Sequence, residues 1–419
     1  RDSSFWLAAA RLAFSLRWNN QEIPESLREQ LHRHRDQLPA RERLEVEAHQ
    51  ALAGRGVSAS LVAHRALVSQ FPESWFGWLS YGDVLFHNGP STGASLEDAR
   101  SAFRRVMDLN PRLAPGWDHD ALLAALARDS VRLRIGLAAL ERMRPRPKDE
   151  YADKVLAFRL LDALVRHDSV AEAAALDSMA HDKVRYGRQV QTFYDPVRFG
   201  FPLSQIKLSR AVLAYGGGAL AEHELRLQIA QAFAAAGQWD SAFAVAPTGL
   251  DRYRLGVLAA ALGVVPWARA LELRPPGGPD PEWAFLDGVA AAATGDSRGA
   301  AAAMARLTAL RTPAGRVGAE ALRWMARAAA GDSVHAGRGL ADLEWKLAQW
   351  NYQGAEALPI LPPLDRILGA RWLAVAGERD EARRLLHWAD SPFLITPSMD
   401  YMSPVRPYLH RQLGLLGGP

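Results

Sequence analysis

One pentapeptide of this sequence has the residue types of a catalytic serine turn. Residues 89–93 read Gly-Pro-Ser-Thr-Gly, which matches the pattern of the nucleophile elbow that presents an attacking serine. That chemistry requires a buried strand before the serine and a helix after it, because the strained turn between them exposes the hydroxyl. Here a helical pattern precedes Ser91, and Ser95 is placed to cap the next helix. We therefore predict no catalytic residue, and a hydrolase is an alternative that rests on Ser91 alone.

A run of three glycines could in principle cradle a phosphate. Residues 216–218, followed by Ala221, loosely match the dinucleotide fingerprint. That fingerprint acts only inside a strand–helix–strand unit with an acidic residue about 20 positions downstream. The segments on both sides are helical in pattern, so the glycines predict a turn between helices. We expect no cofactor.

The spacing of the residues that could ligate a metal gives little support for a metal site. The chain has no cysteine, which excludes thiolate sites and disulfides, and its 12 histidines include no His-Glu-x-x-His motif. His32 and His34 lie two positions apart, and on a helix their side chains point about 200° away from each other. We predict no metal site.

Charge and hydropathy restrict the classes of partner that the chain can bind. The 419 residues carry 50 basic and 46 acidic side chains, a net charge of +4, and the basic stretches alternate with acidic residues. A nucleic-acid-binding stripe normally lacks such compensation, so we predict no nucleic-acid partner. The most apolar stretch, 255–268, is interrupted by Pro266 and is shorter than the roughly 20 residues that a membrane span needs. The abundance of Arg, Ala, Gly and Leu suggests a bacterial, GC-rich genome.

The elements that would have to position any site are helices joined by short turns. In five places a glycine is followed five positions later by an alanine, as expected where a helix ends in glycine and the next helix places a small residue against it. These pairs are Gly54/Ala59, Gly237/Ala242, Gly295/Ala300, Gly331/Ala336 and Gly377/Ala382. Asp-Ser pairs at Asp129, Asp168, Asp240, Asp296 and Asp332 predict helix N-caps.

One hairpin resembles the tetratricopeptide-repeat (TPR) family. The six matching positions are Trp78, Tyr81, Gly82, Ala99, Phe103 and Pro111. Residues 87–93 add about five positions to the family's turn. Elsewhere the resemblance consists of the Gly-to-Ala spacing and of Pro72 and Pro313, which close units, with no Trp at the first-helix position. The resemblance implies an all-α, right-handed α-solenoid of stacked helical hairpins and a non-enzymatic role. Residues 1–140 also resemble the repeat regions of bacterial signalling proteins.

Three aromatic and proline-rich stretches, 186–203, 345–363 and 391–407, interrupt the helical pattern. We predict an N-terminal array at 1–185, an irregular connection at 186–207 and a C-terminal array at 208–419. Apolar irregular segments must pack on the helices or on a partner. The candidate partner-binding residues are Tyr194, Phe199, Phe201, Trp350, Tyr352, Phe393 and Tyr401.

The function predicted from these features is a scaffold or sensor module that binds a protein or peptide. A different possibility is a structural subunit that polymerises head to tail, because apolar residues such as Trp6 and Leu409 lie near both ends of the sequence. The missing initiator methionine suggests a fragment or a processed product. The absence of cysteine is compatible with any compartment; it favours an extracytoplasmic location over a cytoplasmic one, and drift in a GC-rich genome explains it equally well.

Overall fold

The computed structural model describes residues 4–18, 23–143, 150–181, 194–214, 219–278, 280–350, 352, 354–387, 393 and 399–416. These ranges contain helices and turns and no strand, so the predicted all-α fold of helical hairpins is confirmed for them. The α-helices are α1 (Ser4–Trp18), α2 (Glu25–Arg33), α3 (Ala40–Arg55), α4 (Val57–Gln70), α5 (Trp75–Asn88), α6 (Leu96–Leu109), α7 (Ala114–Leu126), α8 (Ser130–Arg142), α9 (Glu150–Val165), α10 (Ser169–His181), α11 (Pro202–Ala214), α12 (Ala219–Ala235), α13 (Trp239–Val245), α14 (Gly249–Ala261), α15 (Trp267–Glu272), α16 (Pro281–Ala293), α17 (Ser297–Ala309), α18 (Pro313–Ala329), α19 (Ser333–Gln349), α20 (Leu361–Val375), α21 (Arg379–Leu386) and α22 (Met399–Leu415). Short 3-10 helices lie at Arg35–Gln37, Pro90–Thr92 and Pro196–Phe199.

The contacts within the chain divide it into two compact units, Arg1–Gly116 and Trp117–Pro419. Within each unit, helices that follow one another along the chain pack together, as in α3 with α4, α5 with α6, α16 with α17 and α19 with α20. The division lies within α7, upstream of the connection predicted at 186–207. Residues 186–193 of that connection are outside the described residues, and the three-part division stays a prediction.

Four of the five predicted glycine turns form with a buried alanine in the following helix. The turn glycines with positive φ are Gly237 (79°), Gly295 (77°), Gly331 (98°) and Gly377 (86°). The alanine five positions after each of them is buried, at Ala242, Ala300, Ala336 and Ala382. A left-handed glycine ends the first helix without a steric cost, and the small alanine lets the second helix approach it.

The prediction for Gly54 and Ala59 is wrong. Helix α3 continues through Gly54 to Arg55, and Gly56 makes the turn with φ 87° and ψ 176°, a conformation open essentially only to glycine. The register of α4 shifts accordingly. The small buried residue is Ser60, whose hydroxyl donates a 3.1 Å hydrogen bond to the carbonyl of Ala48.

Asp-Ser pairs begin helices in four of the five predicted places. Asp129, Asp168, Asp296 and Asp332 each accept a hydrogen bond from the backbone N–H three residues later. Asp240 instead lies inside the first turn of α13, whose N-cap residue is Gln238. Before Asp129 and Asp168 the turn position that glycine fills elsewhere holds Arg128 (φ 59°) and His167 (φ 57°). These two turns therefore keep the hairpin geometry at the cost of a left-handed non-glycine residue.

The α5–α6 hairpin carries the residues that suggested the family. Gly82 faces Phe103 so closely that an added Cβ would lie 2.9 Å from its ring. Ala99 and Phe103 are both fully buried. The longer turn predicted here is the end of α5 plus a 3-10 helix, after which Ser95 and Asp98 form a capping box at the start of α6.

None of the described helices combines the length and the apolar composition that crossing a membrane requires.

Candidate partner-binding site

The seven aromatic residues predicted to bind a partner belong to the second unit, and most of them are buried there. Buried side chains are those of Tyr194, Phe199, Tyr352, Phe393 and Tyr401, each at most 4% exposed. Phe201 is half-buried, and Trp350 is 40% exposed. That these residues bind a partner stays a prediction. Trp350 has the largest exposed fraction among them and so offers a partner the most surface.

Several of these aromatics hold the irregular segments to helices. Tyr194 donates a 2.5 Å hydrogen bond to Asp118 Oδ1, and Lys154 Nζ contacts the other oxygen of Asp118 at 2.8 Å. In the same segment, the guanidinium of Arg128 lies 3.8 Å from the ring centroid of Phe201. Charged partners thus anchor Tyr194 to helices α7 and α9 and Phe201 to the turn that follows α7.

Tyr352 belongs to a buried polar cluster between α19 and α20. Its hydroxyl donates a 2.5 Å hydrogen bond to Glu344 Oε1, and Arg366 Nε donates to the same oxygen over 2.7 Å. The neighbouring Asp365 is fully buried, and neither carboxyl oxygen has a hydrogen-bond partner in the described structure. Burial, followed by the charge of Glu344, raises the pKa of Asp365 well above its ordinary value.

A cleft of about 480 Å³ lies in the first unit. Its apolar walls are Trp75, Phe76, Leu79, Leu113 and Pro115, and its polar lining consists of Arg11, Ser15, Arg41, Glu45, Glu73 and Ser74. These residues belong to α1, α3, α5, the start of α7 and the turns that lead into α5 and α7. The cleft is therefore formed by the first helices of successive hairpins, because alternate helices in such an array share a face.

The turn before α5 sets the apolar side of the cleft. Ser74 caps α5 by accepting a 3.1 Å hydrogen bond from the N–H of Gly77. This cap fixes Trp75 and Phe76 in the first helical turn, with their ring centroids 5.8 Å apart in an edge-to-face pair. Trp75 remains 38% exposed and so presents apolar surface to the cleft.

Ion pairs set the charged side of the cleft. Arg11 Nη1 lies 3.0 Å from Glu45 Oε2, Arg11 Nη2 lies 3.3 Å from Glu42 Oε1, and Arg41 Nη2 lies 2.7 Å from the same Glu42 oxygen. Burial raises the pKa of Glu45 despite the opposing effect of Arg11. Burial acts on Glu42 in the same direction, but the hydrogen bond from Arg41 and the nearby charges outweigh it and lower the pKa of Glu42.

The serine pentapeptide follows a helix and not a strand. Ser91 lies in the 3-10 helix after α5, and its hydroxyl donates a 2.7 Å hydrogen bond to the carbonyl of Asn88. The hydroxyl thus satisfies a carbonyl at the end of α5. The glycines at 216–218 lie outside the described residues.

No known family model matches the chain. No curated protein matches it by sequence. Among solved structures, the chain is similar to one described as the P58(IPK) TPR domain, with 12% identity, a TM-score of 0.24, and coverage of 89% of this chain and 99% of that chain. A TM-score this low carries no argument about fold or function. The fold is defined by its hairpins, in which successive helices pair and, in α5–α6, Gly82 packs on Phe103.

The resemblance to the TPR family is carried by the α5–α6 hairpin, in which Gly82 packs on Phe103. From the sequence, Trp75 was singled out only as a tryptophan near a turn, and no role was given to Arg11, Glu45 or Glu73. The available signal was the position of Trp75 directly after a capping serine. The charged residues gave no local signal, because Arg11 and Glu45 are 34 positions apart.

Proposed function

We propose that this TPR-like chain is a non-enzymatic protein-interaction module, and that the cleft of the first unit binds an apolar side chain from a segment of a partner protein. The observation that carries the proposal is Trp75, which is 38% exposed at the apolar wall of the cleft. Tryptophan is among the residues that most often dominate binding energy at protein interfaces.

The size and lining of the cleft support this proposal. Its volume of about 480 Å³ can take one or two side chains rather than a folded domain. Apolar walls with a few polar groups at the edge are typical of sites that bind a ligand by burial and orient it by hydrogen bonds. Three of the polar groups, Arg11, Arg41 and Glu45, are held by ion pairs, so they are fixed before a partner arrives.

A peptide selection tests the proposed function. Random 12-residue peptides are selected on the wild-type chain, and their dissociation constants are then measured for Trp75→Glu and Val62→Glu. Val62 is a matched control, because it is 68% exposed in the same unit but lies on α4, outside the cleft. We expect Trp75→Glu to weaken binding by at least about 30-fold, the effect of losing a hot-spot residue.

Circular dichroism verifies that both variants keep the helical content of the wild type. Peptides that bind both variants as tightly as the wild type would contradict the proposal. The aromatic residues named from the sequence would then be the next candidates, with Trp350 first because it is the most exposed of them.

A further inference from the structure

Glu73 lines the cleft and has no ion-pair partner in the described part of the chain. Its side chain is exposed in the turn before α5, and it makes no hydrogen bond or ion pair in the described part of the chain. Its charge acts on Arg41 at longer range, but Arg41 is already hydrogen-bonded to Glu42. Arg11 is likewise paired, with Glu42 and Glu45.

The same cleft already holds one guanidinium in a defined setting. The Cζ atom of Arg11 lies 5.6 Å from the ring centroid of Phe76, and its nitrogens reach the carboxylates of Glu42 and Glu45. An aromatic ring and carboxylates together suit a guanidinium, because the ring's negative face and the carboxylate oxygens both attract a planar cation.

Glu73 and Trp75, which flank Ser74, offer the same combination of a carboxylate and an aromatic ring. Both line the cleft, Trp75 is 38% exposed, and no guanidinium of the described chain pairs with Glu73. On the basis of the proposed function, we infer that the partner segment carries an arginine next to its apolar residue. The apolar side chain lies against Leu79, Leu113 and Pro115, and the arginine pairs with Glu73 beside Trp75.

The experiment uses the full chain and peptides selected from the random 12-residue library. The Trp75-dependent peptide of highest affinity is labelled, and its dissociation constant is measured by fluorescence anisotropy with wild type, Glu73→Gln and Glu29→Gln. Glu29 is the matched control, since it is an exposed glutamate of the same unit on α2, outside the cleft. Each arginine of the peptide is then replaced by glutamine in turn.

We expect Trp75-dependent peptides to contain an arginine within two positions of an apolar residue. Glu73→Gln should weaken binding about three- to fivefold and Glu29→Gln less than twofold, because only the first removes a contact with the peptide. Replacing the critical arginine should abolish the sensitivity to Glu73. A second selection, on Glu73→Arg, should favour acidic residues at that place.

The outcomes separate the two proposals. Trp75-dependent peptides that lack arginine, or that bind Glu73→Gln as tightly as the wild type, would overturn the inference and leave the proposed function in place. Finding no Trp75-dependent peptide would overturn both.

Discussion

Arg11 and Glu45 join α1 to α3 through a 3.0 Å hydrogen bond at the wall of the cleft. Glu45 is almost fully buried, whereas the side chain of Arg11 is 42% exposed. The arginine therefore reaches in from solvent and compensates one oxygen of the carboxylate, while Arg41 Nε lies 3.9 Å from the other. The pair of Arg11 and Glu45 holds α1 against α3, so the shape of the cleft depends on where α1 lies.

Removing Arg11 is expected to destabilise the first unit. Arg11→Leu leaves the buried carboxylate of Glu45 without its main hydrogen-bond donor, which costs about 1–3 kcal/mol. The control is Arg28→Leu, since Arg28 pairs with the exposed Glu25 on the surface of α2 and contributes less than about 0.5 kcal/mol. Urea unfolding followed by circular dichroism measures both, and equal losses would refute the role assigned to Arg11.

His167 is expected to destabilise the turn in which it lies. It has φ 57° where the equivalent turn before Asp332 has Gly331 with φ 98°. His167→Gly should raise the free energy of unfolding by about 0.5–1 kcal/mol, the left-handed strain minus the entropy that glycine adds to the unfolded chain.

Gly331→Ala is the reciprocal variant. Nothing lies within 4 Å of the Cβ that it would add, so its expected loss of about 1 kcal/mol or more comes from backbone conformation alone. Thermal unfolding of His167→Gly and Gly331→Ala measures the change in the free energy of unfolding for each variant. A destabilised His167→Gly protein would contradict the equivalence of the two turns.

The buried carboxyl of Asp365 predicts a specific pH dependence. Its pKa is raised in the folded state, so the folded protein holds a proton that the unfolded chain releases above about pH 4. The stability that this proton contributes is complete below pH 4 and is lost as the pH rises towards the folded-state pKa.

Asp365→Asn removes this titration while keeping the shape of the side chain. Relative to the wild type, the variant should become more stable as the pH is raised from 4 to 8 in a series of urea unfolding curves. A difference between the two proteins that does not change with pH would show that Asp365 is ionised in the folded protein.

Features that depend on neighbours in the chain could be predicted from the sequence. The turn at Gly295 and the cap at Asp296 involve consecutive residues, and both form as expected. The turn at Gly54 was misplaced because a second glycine, Gly56, stands two positions later and suits the turn better.

Features that depend on distant residues could not be predicted. Tyr352 was a candidate for partner binding because it stands in an irregular, proline-rich stretch, but its buried contacts to Glu344 and Arg366 depend on how two helices pack. The cleft requires side chains from residues 11 to 115 to meet. Sequence spacing does not show which distant residues line one cleft. Only the position of Trp75 directly after a capping serine indicated part of it.

Hydrogen exchange of the full chain with and without a selected peptide tests the central claim most directly. The claim is that the first helices of the first unit bind the partner, so bound peptide should slow exchange in the segments that contain Arg11, Glu45 and Trp75, while α16 to α21 remain unchanged. Protection confined to the region around Trp350, or protection absent from α1, α3 and α5, would contradict it.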